Sequence, residues 1–526
     1  MRRRPHALLR VKIPTLLLLG ALSAFAADRP NIVLLFADDL GRYASAYADP
    51  KRPSPNDIIR TPAFDRIANE GVRFDNAFVS APSCTPSRGS LYTGRHFFRN
   101  GSFSQLHSRW QKGAPDPGDA IVGMPETLAR AGYHVGWSHK WHIPERLIGG
   151  KDHQYSPHGN RISNFSQQVT KKPGIRGQIF DAVRGNFHAF LADRKDDQPF
   201  FYSFNPTNTH RAWVRGSGKA LWGLDPDKLK GKLPPFLPDN EVVREDFADY
   251  LGEAMAFDQA CGVIIEELEK TGELDNTLVV ISGDHGIPGF PRGKCNVHDF
   301  GSRVLLSMRW PEHIAPDRVI KPPVSLIDLA PTFLAAAGTD SPDDPDGQNL
   351  LPVLKPGGDE KNLRGWALIG REVHVGSARE NFLPYPVRAL RTADFLYVRN
   401  FKPGRWPMGD PKAAAGDAMP DFKKINNDTR AAYADIDASP TKAWLVRHRD
   451  DDGLGIVLRE GWEKRPSEEF YDLAKDPFQI HNLATDPAYA ADLDRLRKLL
   501  MTQLEEGADP RLGDAFDRPP YCIESR

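Results

Sequence analysis

The feature that most restricts this chain is a recurring apolar run of strand length that ends abruptly in polar residues. Asn31–Ala37 (NIVLLFA) stops at Asp38-Asp39, and 133–138 leads to Lys140-Trp141-His142. The run 199–204 precedes Asn208-Thr209-His210, and 278–281 runs into Ser282-Gly283-Asp284-His285-Gly286. A continuous apolar run without alternation is the pattern of a strand buried on both faces, and such strands belong to parallel sheets covered by helices. Helical segments fall between the runs. Thr61-Pro62 offers an N-cap and an N1 proline to a helix that Gly71 stops, 124–131 and 180–191 follow, and 244–270 is long and amphipathic. Segments 73–79 and 304–308 read as further strands and 325–337 as a last helix. The fold class is therefore α/β, with a mostly parallel central sheet flanked by helices. In open sheets of this kind chemistry gathers at the carboxyl ends of the strands, where the polar clusters stand.

After residue 340 the texture changes to Pro, Gly and Asp, as in surface linkers, and a boundary is placed near residue 360. The expected organisation is a catalytic domain over 27–360 and a smaller α+β domain over 361–526. In the latter, 366–369, Val387–Thr392 and Phe395–Asn400 read as antiparallel strands, the last two joined by a turn at Ala393-Asp394. Segment 402–440 lacks a period and reads as a long ordered loop, and 491–506 as a terminal amphipathic helix. At the other end, Arg2, Arg3, Arg4, Arg10 and Lys12 precede an apolar stretch and the small-x-small triplet Ala24-Phe25-Ala26, the outline of a signal peptide over 1–26. That stretch is too short and too poorly flanked for a stable membrane anchor, so the chain is expected to be exported and soluble, periplasmic or secreted if bacterial. Lys and Arg number 69, as do Asp and Glu. A chain with no net charge is not built to hold nucleic acid through an overall positive field, although a local basic pocket can still receive an anion.

Asp38, Asp39 and Asp284 are three carboxylates at ends of apolar strands, and gathered without a counter-ion they would repel one another. A hard divalent cation resolves this, with oxygen ligation suiting calcium or magnesium and the His285 ring or a neighbouring polar group completing the shell. Taken singly, Asp38-Asp39 also reads as a helix cap and Asp284-His285-Gly286 as a turn. The four cysteines Cys84, Cys261, Cys295 and Cys522 include no CxxC pair and form no disulfide scaffold or zinc site. Cys84 is distinguished by its neighbours. In Cys84-Thr85-Pro86-Ser87-Arg88-Gly89-Ser90-Leu91-Tyr92-Thr93-Gly94 a turn opened by proline leads into a helix, with an arginine four residues past the cysteine and on its face. A nucleophile there would face an anion already paired with Arg88.

This segment resembles the motif CxPSRxxxLTG of the type I sulfatase family at Cys84, Pro86, Ser87, Arg88, Thr93 and Gly94. The resemblance implies a large alkaline-phosphatase-like domain and oxidation of Cys84 to formylglycine by a maturation enzyme, so that residue 84 acts as an aldehyde hydrate. It implies that Asp38, Asp39, Asp284 and His285 hold one calcium ion. It assigns Arg88, Lys140 and Lys294 to the sulfate oxygens, His210 to the leaving group and His142 to the role of base. Two departures stand out: His139 replaces the glycine of the family's GKWH motif, and Thr209 replaces the usual proline before His210.

Segments 286–294 and 385–388 look most like the heparan N-sulfatase (sulfamidase) branch, with Lys294 where that branch has arginine. Glu469-Phe470-Tyr471-Asp472-Leu473, Asp476-Pro477 and Asn482-Leu483 resemble the family's C-terminal pattern, so the resemblance covers almost the whole chain after residue 26. Bacterial relatives of the branch include enzymes for O-sulfated marine polysaccharides. The expected substrate is thus a sulfated oligosaccharide or polysaccharide, with an O-sulfate ester or an N-sulfoglucosamine as the scissile group. Arg371, Glu372, His374 and Arg388 are candidates for the sugar rim, with domain-interface ion pairing as the competing role, and Arg405-Trp406 offers an aromatic platform. Two other functions stay open: a phosphatase or phosphodiesterase on the same scaffold, and a carbohydrate-binding protein without catalysis.

Overall fold

The computed structural model describes residues 29–106, 110–195, 197–340 and 344–523. The expected signal peptide over 1–26 and the first part of the linker after residue 340 lie outside these residues. Among the described residues no helix is long and apolar enough to cross a membrane.

The large sheet takes seven strands: β1 (Asn31–Ala37), β2 (Val72–Phe74), β3 (His134–His139), β4 (Phe200–Asn205), β5 (Thr277–Gly283), β6 (Leu306–Arg309) and β7 (Arg318–Ile320). Their order is β3-β4-β1-β5-β6-β2-β7, with β6 the antiparallel member. Every residue of β1 is buried, because its side chains alternate between two cores. Val33, Leu35 and Ala37 enter one core, and Ile32, Leu34 and Phe36 the other. Each large side chain buried this way contributes roughly 1.5–3 kcal/mol.

Helices cover both faces: α1 (Pro62–Glu70), α2 (Cys84–Thr93), α3 (Met124–Arg130), α4 (Arg176–Ala192), α5 (Glu241–Lys270) and α6 (Leu329–Ala336). Phe187 and Phe190 of α4 and Phe247 and Leu251 of α5 fill the first core, whereas Leu91 of α2, Leu128 of α3 and Phe333 of α6 fill the second. The N-cap residue Thr61 makes no side-chain cap bond. Instead the buried Asp258 carboxylate of α5 accepts the Ala63 and Phe64 amides at 3.1 and 2.8 Å, so a long-range contact satisfies the helix start.

Two expected strands are each divided. Segment 73–79 breaks at Asp75-Asn76, where the Asp75 amide donates to the Ile320 carbonyl, and Ala77–Phe78 leaves the large sheet. Segment 304–308 breaks at Leu305, whose side chain turns into the opposite core from Val304 and Leu306. The released pieces Ala77–Phe78 and Arg303–Val304 form a three-stranded ribbon with Val324–Ser325. That pairing, and a 3-10 turn over Leu326–Asp328, delay the start of α6 relative to expectation.

A four-stranded antiparallel sheet follows in the order β8 (Trp366–Arg371), β9 (Val387–Thr392), β10 (Phe395–Asn400) and β11 (Glu468–Asp472). Strand β11 is the Glu469–Asp472 motif, which the sequence presents as a motif and not as a strand. Helices α7 (Pro440–Arg447) and α8 (Ala490–Glu506) complete the elements used below. The amphipathic α8 lays Leu493, Leu496, Leu500 and Leu504 on one face of the small sheet, against Leu368, Leu390 and Tyr397. The other face carries Ile369, Ala389 and Val398 onto Phe78 and Val297, so the small sheet shares an apolar seam with the three-stranded ribbon. Segment 402–440 is more than a loop: it holds a short helix, Phe422–Asn427, and buries Met408, Ile425 and Ile436 with Cys295 and Trp462.

Candidate active site

Strand register brings the polar clusters together. Ala37 of β1 lies beside Gly283 of β5, so Asp38 and Asp284 leave the sheet as neighbours. His139 of β3 lies beside Asn205 of β4, which brings Lys140 out one strand beyond. Asp38, Asp39 and Asp284 have no exposed surface. Asp39 adopts φ 60°, a left-handed conformation that aspartate tolerates better than most residues, and its amide donates to Asp284 Oδ1 at 2.8 Å. His139, which stands where the resemblance expects glycine, has φ 71°. This left-handed conformation costs a residue with a Cβ on the order of 1–2 kcal/mol, and the ring shares a 2.9 Å hydrogen bond with Ser138 Oγ.

Helix α2 begins at Cys84, so Cys84 and Arg88 share a face one turn apart. The fully buried Arg88 donates from Nε to Asp284 Oδ2 at 2.9 Å, from Nη1 to Asn205 Oδ1 at 3.2 Å and from Nη2 to Asp38 Oδ1 at 3.4 Å. Lys140 Nζ donates to both oxygens of Asp38 at 2.6 Å, and Lys294 Nζ to Asp39 Oδ2 at 3.0 Å. Burial opposes ionisation of Asp38, but the charges of Lys140, Arg88 and His210 overcome it and hold the carboxyl well below the usual range. Burial likewise disfavours the charged His285, yet Asp284 and Asp39 raise it to about 9. Its Nε2 lies 3.0 Å from Asp39 Oδ1 and 3.4 Å from Cys84 Sγ.

The donor set suits a divalent cation. Ligand atoms of Asp38, Cys84, Asp284 and His285 lie within 4.8 Å of one another, as do those of Asp38, Asp39 and His210. Three buried carboxylates with one imidazole are the hard, oxygen-rich environment such an ion requires.

Above this floor opens a cavity of about 260 Å³, lined by Cys84, His142, His210, Lys294, His374 and Asp437 among others. His374 shares a hydrogen bond of 2.8 Å with Ser83 Oγ, beside Cys84. Burial and the neighbouring Lys294 push its imidazole well below the ordinary range, so it is a neutral ring.

Of the four residues expected at the sugar rim, His374 alone reaches the cavity. Arg388 and Glu372 are almost fully buried and joined at 2.9 Å, with Arg388 also on Asp509 at 2.7 Å and Glu372 also on Arg511 at 2.5 Å. Arg371 is turned toward Asp435 at 3.7 Å and the Pro407 carbonyl. These three tie the smaller sheet to segments 407–435 and 509–511, because a guanidinium or carboxylate removed from water requires a counter-charge. Sequence reasoning missed Asn205, although it ends an apolar strand as the other clusters do. It also missed Asp437, whose Oδ2 stands 3.4 Å from Lys294 Nζ, for no local pattern marks that position.

Comparison with known proteins agrees with this geometry. The Sulfatase family model matches residues 30–339. The chain is 30% identical over 529 residues to the human N-sulphoglucosamine sulphohydrolase, spanning 94% of this chain and 93% of that one. It is 25% identical over 521 residues to an ulvan-active sulfatase of Formosa agariphila, spanning 90% of this chain and 74% of that one. Among solved structures, the phosphonate monoester hydrolase of Agrobacterium radiobacter superposes with a TM-score of 0.57 at 18% identity, over 92% of this chain and 97% of that one. The last likeness shows a shared fold alone, whereas the first three bear on the reaction. This chain belongs to the sulfatase family, and the enzyme is a sulfuric ester hydrolase.

Proposed function

We propose that the enzyme removes sulfate from a sulfated carbohydrate, at an O-sulfate ester of an oligosaccharide or polysaccharide or at an N-sulfoglucosamine, with a nucleophile made from Cys84. One juxtaposition carries this reading: the Cys84 thiol stands 3.8 Å from a buried carboxylate oxygen of Asp39, in the wall of the cavity that Lys294 and three histidines also line. Asp38, Asp39, Asp284 and His285 would hold one calcium ion, which when bound supplies positive charge to the sulfate and acidifies a neighbouring hydroxyl. Formylglycine at position 84, supplied by a maturation enzyme, provides in its hydrate two hydroxyls on one carbon, one to attack and one to release.

The chain's own residues do the rest. Arg88, fixed by Asp284 and Asn205, is the first of three cations assigned to the sulfate oxygens. Lys140 and Lys294 hold sulfate oxygens as negative charge moves toward the leaving atom, the electrostatic logic of phosphoryl transfer. His210, on the cavity wall, protonates the departing sugar oxygen or nitrogen, and His142 takes the proton whose loss frees sulfate. Export after removal of residues 1–26 would place the enzyme where polymeric glycans are met. The two relatives, an N-sulphoglucosamine sulphohydrolase and an ulvan-active sulfatase, frame the substrate question.

The test is sulfate release by the matured protein from two matched oligosaccharide sets, one ending in N-sulfoglucosamine and one carrying only algal O-sulfates. Release from the first alone makes it a sulfamidase, and release from the second alone a polysaccharide O-sulfatase. Release from neither, with hydrolysis of phosphate esters instead, overturns the proposal in favour of phosphoryl chemistry.

A further inference from the structure

Opposite the sulfate floor, the cavity wall is formed by Thr429, Arg430 and Asp437, on a stretch that none of the family motifs covers. Resting on the sulfatase reading above, we propose that Arg430 determines specificity by binding a second anionic group of the substrate, a carboxylate or a further sulfate beside the scissile one.

Three observations support this. First, Arg430 is exposed at the cavity mouth, and among the described residues no carboxylate lies within ion-pair distance of its guanidinium. The arginines around it are matched internally: Arg211 with Asp246 at 2.8 Å, and Arg379 with Asp435 at 2.6 Å.

Second, its backbone is held from three sides. The Asp428 carboxylate accepts the Arg430 amide at 2.9 Å, and Thr429 Oγ1 accepts the Ala438 amide at 3.0 Å. The buried ammonium of Lys442 donates to the carbonyls of Thr429, Tyr433 and Ile436 at 3.1, 3.3 and 2.7 Å. No carboxylate hydrogen-bonds or ion-pairs with that ammonium among the described residues, so it serves the shape of this wall. A guanidinium on a fixed backbone loses less freedom on binding than one on a mobile loop.

Third, the cavity's charges favour an anion at this place. Among the described residues Asp437 is the one carboxylate of the lining and is already paired with Lys294, which leaves Arg430 as the unmatched charge there. The planar fork of arginine suits two oxygens of a carboxylate or a sulfate.

The test compares three sulfated disaccharides: one with an intact uronate, one with its carboxylate reduced to an alcohol, and one so reduced but bearing a further O-sulfate. Arg430→Gln is expected to lower the charged-to-neutral ratio of kcat/KM by about tenfold, equivalent to about 1.4 kcal/mol. The charged arm that suffers the loss identifies the group as carboxylate or sulfate. Arg52→Gln, at an exposed arginine outside the cavity lining, is the control. Affinity is measured in parallel in a Cys84→Ala background, where Arg430→Gln is expected to weaken binding of the charged glycans by a similar factor.

Sulfate release with an unmoved ratio overturns the inference and leaves the reaction standing. Binding that depends on Arg430 without any release overturns the reaction and keeps the anion site. No binding of any of the three glycans overturns both.

Discussion

The floor of the cavity and its outer wall are built by different means. The floor hangs from the ends of four neighbouring strands, β3, β4, β1 and β5, whose parallel register places Asp38, Asp284, Asn205 and Lys140 within reach of one another. A strand buried on both faces cannot slip without moving its whole apolar set, so the floor is as rigid as the sheet. The wall comes from 374–375 and 429–437, beyond the large sheet, and is held by ion pairs and by an ammonium among carbonyls. Chemistry shared by a family can thus stay fixed on strand ends while substrate choice varies in segments outside the sheet.

The largest expected effect separates the two regions outright. Cys84→Ser should reduce sulfate release by at least about a thousandfold, because a serine lacks the second hydroxyl, while the melting midpoint stays within about 2 °C. Repeated turnover by that variant would end the formylglycine mechanism. Next comes the ion-pair network of the smaller sheet. Arg388→Met leaves Glu372 and Asp509 buried beside a missing charge and should destabilise the fold by about 3–5 kcal/mol, read as a lower unfolding midpoint. A variant of normal stability with a raised KM would instead return Arg388 to the substrate rim.

The smallest effect lies beside the small sheet at His298, whose ring stands 5.8 Å from that of Tyr471 in β11. Burial and the nearby Arg292 push this imidazole down to about 4, from an ordinary value of 6.5. As pH falls from 6.5 toward 4 the unfolded chain takes up a proton that the folded chain refuses. His298 therefore supports the fold above pH 6.5, and that support is lost across this window, by an amount on the order of 3 kcal/mol. Unfolding measured at pH 7 and pH 4.5 should show a smaller difference in His298→Leu than in the parent. An equal difference in both would remove His298 as the cause.

Legibility in the sequence follows the same division. Apolar runs mark β1, β3 and β4 to within a residue at each end and β5 by its middle, since Thr277, Ser282 and Gly283 are not apolar, and the polar residues just after them are the floor. Short strands whose neighbours lie far away in sequence were misjudged. Segment 73–79 reads as one strand because nothing local reveals that Asp75 turns against Ile320. Strand β11 was invisible as a strand because its partner β10 lies some seventy residues earlier and Glu469 and Asp472 mask its apolar side. The misplaced rim residues have a related cause. Arg371, Glu372 and Arg388 look like surface charges in sequence, and only Arg511, Asp509 and Asp435 make them interior. Arg430 shows the reverse, an unremarkable residue left without a carboxylate partner among the described residues at the cavity.

The most direct test of the central claim is to measure, in the same preparations, the mass of the peptide containing residue 84 and the rate of sulfate release. Preparations matured to different extents should release sulfate in proportion to the fraction carrying aldehyde at position 84, with no release from the pure thiol form. Sustained release from protein whose residue 84 is entirely cysteine would contradict the account.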